Sequence, residues 1–316
     1  MLYLVTDGAH IGHAKPGHAE CPERITAIYE HFRATGLLES MAPLAARDAS
    51  DEELRLVHTP EHIERMRALC AAGGGRIDAD TYATADSFRA AARAAGGALA
   101  ACEAVLTGPI TRAFCLLRPP GHHAMPNRAM GFCLFNNVAI AAKYLQRKGR
   151  RVLIIDWDCH HGNGTQAAVE EDVDIHFLSI HRRPMYPGTG GADERGCGNI
   201  SNIPLGHNTP ASRFFERFAK GLDDARRMFD PDFLLISCGF DAWRGDLLGG
   251  GGLEMEDFWR LTRLALGETP ESGGAPDASL RPIPVVSVLE GGYDVKALGR
   301  CAEAHVRALM GLPPAS

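Results

Sequence analysis

The chain has 316 residues, 45% apolar and 23% charged, enough to bury a sizeable core without disulfides or a structural metal. A net charge of -6 gives no general basic footprint for nucleic acid or anionic membrane, and no apolar run is long enough to span a bilayer. Nine scattered cysteines without a C-x-x-C pair, and an opening MLYLVTDGAH without a secretory pattern, point to reduced thiols in the cytoplasm.

From the N-terminus, residues 1–5 read as a strand and 22–35 as a helix. Thr59-Pro60 introduces a helix over 61–70, glycines 73–75 mark a flexible or tightly turning loop, and 85–106 is a long helix. A strand at 113–117 runs into RPPGHHA, then GFCLFNN and a helix over 136–148. The strand 151–155 ends in IDWDCHHGNGT, and the strand 175–180 leads to His181 and RRPMYPGTG. A helix over 211–229, stopped at Asp230-Pro231, precedes the strand 233–237, then GFDAWRGD and close-turning glycines at 249–252. A helix over 255–266, a mobile surface loop at 267–282, a strand at 285–289, LEGGYD and a helix over 295–310 complete the chain.

Strands alternating with helices predict an α/β fold, a parallel sheet covered on both faces, in a single domain spanning 1–316. Runs such as FLLIS and VVSVL carry no polar alternation, as strands buried on both sides require. The unusual polar residues all follow strands: 118–123, 156–164, His181, 239–241 and 290–294. Ligands of open parallel sheets bind outside the carboxyl ends of the strands, so these clusters converge on one site.

In IDWDCHHGNGT an extended backbone places Asp156, Asp158 and His160 on one side. Two carboxylates and an imidazole suit a borderline divalent metal such as zinc (Zn2+), with ferrous iron (Fe2+) as the rival. Asp158 and His160 alone would grip an ion loosely. Asp241, after the strand in GFDAWRGD, supplies a third ligand and leaves a position open; Asp246 competes for the role. On this reading Asp241 is essential to metal and turnover, and Asp246 to neither. His122 and His123 become acid–base groups, with Asp156 orienting one imidazole and Asn163 the other. Tyr293, after two glycines, is placed to donate a hydrogen bond to an oxyanion. Phe132, beside Gly131, and Tyr186 are aromatics that could line a slot for a thin aliphatic chain.

Together RPPGHHA, GFCLFNN, IDWDCHHGNGT, SIH with YPGTG, GFDAWRGD and LEGGYD resemble the zinc-dependent histone deacetylase family from about residue 14 to 311. The flavour is that of the class II branch and its bacterial relatives, the acetylpolyamine amidohydrolases and acetoin-utilisation proteins. The resemblance implies the arginase–deacetylase fold, a mostly parallel eight-stranded sheet between helical layers. It makes Asp158, His160 and Asp241 the zinc ligands, and puts Asp156 behind His122 and Asn163 behind His123. Tyr293 becomes the carbonyl-polarising phenol, Gly131 an acceptor for the substrate amide, and Phe132 and Tyr186 the walls of an acyl-lysine tunnel. A structural potassium ion (K+) would sit at Asp156, Asp158, His160, Ser179 and the Ile180 carbonyl, with His181 as a neighbour. Arg24, in CPER, would face Gly291 and Gly292 at a product channel.

Asn163 follows the class II habit, and the retained Tyr293 favours an active enzyme. Leu248, seven residues after Asp241, falls on the tunnel rim, where one polyamine-selective branch carries an acid. That tilts the substrate toward acylated lysine and leaves acetylpolyamines and other small acylated amines as the alternative. The rival readings are a catalytically silent acyl-group binding protein and an arginase-like ureohydrolase with two manganese ions. A homo-oligomer is left open.

Overall fold

The computed structural model describes residues 1–268 and 283–315; all but the first two residues of the loop expected at 267–282 lie outside the described residues. In chain order the strands are β1 (Leu2–Thr6), β2 (Met41–Ala45), β3 (Gly74–Arg76), β4 (Tyr82–Thr84) and β5 (Arg112–Cys115). They continue with β6 (Val152–Asp156), β7 (Ile175–Arg182), β8 (Ile200–Leu205), β9 (Phe233–Cys238) and β10 (Val285–Leu289). The helices are α1 (Glu23–Ala34), α2 (Asp51–Leu54), α3 (Pro60–Ala71), α4 (Ser87–Thr107) and α5 (Asn137–Arg147). After them come α6 (Asn163–Val169), α7 (Ala211–Met228), α8 (Asp257–Ala265) and α9 (Val295–Leu309).

Eight strands form one sheet in the order β2-β1-β5-β10-β9-β6-β7-β8, every neighbouring pair parallel. Several elements depart from the sequence expectation, among them β4 and the short helices α2 and α6. Strands β2 and β8 at the two sheet edges were not foreseen, and the glycine run expected to be a loop supplies β3, which pairs antiparallel with β4.

Alternation along each strand divides the core. Leu153 and Ile155 of β6 join α1, α7, α8 and α9 on one face, while Val152 and Ile154 join α4 and α5 on the other. A fully buried aliphatic or aromatic side chain contributes roughly 1.5–3 kcal/mol, so two continuous layers of this kind hold the sheet without cross-links. The nine cysteines are indeed unpaired.

Helix starts follow local rules. Thr59 accepts from the His62 amide ahead of Pro60, Asn136 from Ala139, and Asp294 from Lys296. Both edge strands contain a proline, Pro43 in β2 and Pro204 in β8. Along β8 the carbonyls of Asn199 and Leu205 accept from Phe177 and Arg183 of the β7 segment. Odd-numbered residues therefore bond inward, and Pro204 faces the open edge.

The five polar clusters sit at the carboxyl ends of β5, β10, β9, β6 and β7, which are contiguous in the sheet. Convergence read from chain order is thus convergence in space.

Candidate active site

The ends of β6 and β9 form a buried cup. One donor atom each from Asp158, His160 and Asp241 lies within 4.8 Å of the others. His160 Nδ1 is 3.1 Å from Asp158 Oδ1 and 2.9 Å from Asp241 Oδ2. The backbone presets the carboxylates: Asp158 Oδ2 accepts from the Gly291 amide at 2.8 Å, and Asp241 Oδ1 from the Cys159 amide at 2.8 Å. Strand β6 ends at Asp156, so Asp158 and His160 reach the cup from a loop rather than from an extended strand.

Behind the cup stand the paired imidazoles, with ring centroids 4.0 Å apart. His122 Nδ1 is 3.0 Å from Asp156 Oδ2, and His123 Nδ1 is 2.8 Å from Asn163 Oδ1. The Asn163 amide nitrogen points instead at the Met125 and Met130 sulfurs, which orients its oxygen toward the ring. Each ring thus has Nδ1 engaged and Nε2 left for chemistry. Burial opposes the charged form of His122, but Asp158 and Asp156 outweigh it and push it up to about 10. Burial, reinforced by His122 and His160, holds His123 well below the usual imidazole range. One histidine is set to carry a proton and the other to take one.

Tyr293 is buried and its ring lies edge-on to Phe132, centroids 5.7 Å apart. Burial holds its phenol well above the usual value despite the opposing Arg24, so it is a proton donor across the physiological range. The Arg24 guanidinium lies 5.0 Å from the ring centroid and donates to the carbonyls of Gly292 and Glu290. Of the two glycines foreseen opposite Arg24, Gly292 is the one it bonds; Gly291 serves Asp158. Glu20, fully buried, accepts from both Arg24 and Arg118. Burial would raise its carboxyl, and Arg118 and His13 together outweigh this, keeping it well below the usual range.

Gly131 and Phe132 occupy left-handed backbone, φ 56 and 68, and a Cβ on Gly131 would lie 2.5 Å from His123 Cδ2. Tyr186, 39% exposed, sets its ring 5.1 Å from that of His123. Leu248 is 40% exposed on the loop after Asp241. Ser179 is in register with Asp156, its hydroxyl 2.9 Å from His181 Nδ1, and Ile180 is buried beside it.

Asp246 is not part of the cup. Its carboxylate accepts from four backbone amides, those of Leu248, Gly249, Tyr293 and Asp294, which corrects its place as a competing ligand. Sequence reasoning also passed over Glu290, which accepts from the Gly121 and His122 amides and from the Ser237 hydroxyl. The β3–β4 hairpin went unnoticed too: Thr81 Oγ1 accepts from the Phe132 amide at 3.1 Å. The DADTY segment, a turn-forming acidic cluster running into Tyr82, was the available signal.

The donor set fits a divalent cation. Asp156, Asp158, Asp241 and Glu290 are all 0% exposed within this one cluster, where like charges repel. Burial and Asp158 push the Asp241 carboxyl up to about 7, and a cation held between Asp158, His160 and Asp241 relieves that strain. Two carboxylates and an imidazole are hard-to-borderline ligands suited to zinc or ferrous iron.

A family profile described as "Histone deacetylase domain" matches residues 18–309. The histone deacetylase-like amidohydrolase of Pseudomonas aeruginosa is 35% identical over 306 residues, covering 95% of this chain and 78% of the relative. The polyamine deacetylase HDAC10 of Homo sapiens is 36% identical over 313 residues, covering 93% of this chain but 45% of the relative. The chain spans about half the length of several curated relatives that it matches. Among solved structures, the HD domain of HDA15 superposes with a TM-score of 0.87 at 34% identity, covering 98% of this chain and 91% of that one. The arginase–deacetylase fold expected from the motifs is the fold observed.

Proposed function

This chain belongs to the histone deacetylase family, and from that premise we propose that it is a metal-dependent amidohydrolase that removes acetyl or related acyl groups from lysine side chains. The products are acetate and the free amine. The observation that carries the proposal is the buried cup of Asp158, His160 and Asp241 set against two imidazoles whose Nδ1 atoms are engaged by Asp156 and Asn163. Zinc is the favoured occupant, with ferrous iron the alternative; bound there, it supplies Lewis-acid polarisation of an amide carbonyl and acidifies water.

The protein's own groups supply the rest. His123, its Nδ1 engaged by Asn163, removes a proton from the attacking water through Nε2. His122, its Nδ1 engaged by Asp156, stabilises the negative charge that develops and returns a proton to the leaving amine. Tyr293 donates its phenol proton in a hydrogen bond to the oxyanion. Gly131 accepts from the substrate amide, while Phe132 and Tyr186 flank the alkyl chain. A structural potassium ion at Asp156, Asp158, His160, Ser179 and Ile180, and a product channel by Arg24, Gly291 and Gly292, complete the proposal.

Among the described residues one group of side chains can hold a metal ion, which argues against a two-manganese ureohydrolase. The intact imidazole pair and phenol argue against a silent acyl-binding protein. Acetylpolyamines are the second substrate reading, favoured by the polyamine deacetylase among the relatives and opposed by apolar Leu248. No helix among the described residues is long and apolar enough to cross a membrane, and the unpaired cysteines support the cytoplasm as the working compartment.

The test is acetate release by the zinc-loaded enzyme from acetyl-lysine peptides and from acetylated polyamines, with metal content measured in parallel. The expected result is turnover with peptides, and loss of both zinc and turnover in Asp241→Ala. Faster turnover of polyamines would reverse the substrate order. No acetate from either class would favour the binding protein.

A further inference from the structure

Asp246 carries four hydrogen bonds that the proposed chemistry leaves unexplained. Its Oδ2 accepts from the amides of Tyr293 at 2.6 Å and Asp294 at 3.1 Å. Its Oδ1 accepts from the amides of Leu248 at 2.9 Å and Gly249 at 3.1 Å. One carboxylate therefore ties the loop after β9, which also carries Asp241, to the loop after β10, which carries the phenol. The first loop packs closely on itself: a Cβ on Gly249 would lie 2.2 Å from the Asp241 carbonyl oxygen. The second has its own constraints: Phe132 and Arg24 flank the Tyr293 ring, and Arg24 and Asp158 hold the backbone of Glu290, Gly291 and Gly292, while the amides of Tyr293 and Asp294 themselves are held by Asp246.

We propose that Asp246 is a positioning residue for the reaction: it sets the backbone of Tyr293 so that the phenol meets the oxyanion formed over the Asp158–His160–Asp241 cup. This rests on the reading of Tyr293 as the oxyanion donor. The chemistry demands a carboxylate in particular. An ionised carboxyl offers about four acceptor positions and no donor, whereas an asparagine of the same shape offers one oxygen and two N–H groups. Whichever way an asparagine is turned, its NH2 faces two backbone N–H donors. Either Tyr293 and Asp294 or Leu248 and Gly249 are then left without an acceptor. The loop then moves, and displacing a reacting group by an ångström slows chemistry about a hundredfold.

The experiment compares the zinc-loaded parent with Asp246→Asn, Tyr293→Phe and the double variant. Asp246→Asn is expected to keep its zinc content and its cooperative melting, at a lowered melting temperature, to lower kcat by about tenfold to a hundredfold, and to leave KM nearly unchanged. In the double variant the two losses do not multiply, because both act through one phenol. Amide exchange of the metal-free protein gives a readout independent of turnover: the segment 291–296 exchanges faster in Asp246→Asn while β9 does not. If Tyr293→Phe turns over like the parent, the oxyanion reading falls and this inference with it. If Tyr293→Phe is slow but Asp246→Asn is not, only the positioning role falls. Multiplying losses, unchanged exchange at 291–296, or loss of zinc or of cooperative melting in Asp246→Asn each overturn it, the last by marking a folding residue.

Discussion

Gly291 shows how closely the cup is built. A Cβ there would lie 2.5 Å from both Asp158 Oδ2 and Asp241 Oδ2, so any side chain would push apart two of the three metal-gripping groups. Gly291→Ala is therefore expected to weaken zinc binding by about tenfold to a hundredfold, the usual cost of disturbing a partner behind a ligand. Competition with a chromogenic chelator measures this directly, and parental affinity would show that the cup can widen freely. Side chains that act on other side chains were legible in the sequence. Asp158, His160, Asp241, His122, His123 and Asn163 sit in motifs whose residue types announce their chemistry, and the geometry brings them together. The roles of Asp246 and Glu290 were not legible in the same way, because their partners are mainly backbone amides, and every residue except proline has one.

Among the elements, β10 has a structural duty at its end. Glu290, fully buried and pushed up to about 7 by burial, accepts from Gly121, His122 and Ser237, joining the ends of β5 and β9 to its own strand. Glu290→Gln can reproduce this pattern, with its oxygen toward the two amides and its NH2 toward the hydroxyl. Glu290→Leu cannot, and leaves two buried N–H groups unpaired, at about 1–3 kcal/mol each. Urea midpoints should place the Gln variant near the parent and the Leu variant several kcal/mol lower; equal midpoints would deny the joint. Six of the eight sheet strands and the seven helices expected from the sequence were found within a few residues of their predicted limits. Strands β2 and β8 escaped because MAPLA and ISNIPL each carry a proline, which in isolation argues against a strand. Only an edge position, invisible before the sheet is assembled, reconciles the two. Strand β3 escaped because glycine signals turning, and its pairing partner supplies the regularity that its own sequence lacks.

At the level of the whole molecule, the interior stores neutral histidines whose protonation opposes folding. Burial pushes His58 and His305 down to about 3, with His62 adding to the effect on His58. His305 is locked between Thr262 and Ser287, at 2.7 and 2.8 Å. Between the folded value and the unfolded value of about 6.5 the unfolded chain holds the extra proton, so stability rises with pH there and falls on acidification. Each such imidazole withdraws at most about 2 kcal/mol as pH drops from 6.5 to 5. Urea midpoints measured at pH 7 and pH 5 should fall for the parent and fall less for His305→Gln; identical pH slopes would exclude His305 as a contributor. The sheet rim has a different consequence. With the ring of Pro204 turned outward on β8, an approaching chain finds a gap where the next rung of a ladder would need a proton. A protein built on so long a run of parallel strands can thus stay crowded with its own copies without templating fibrous growth from that flank.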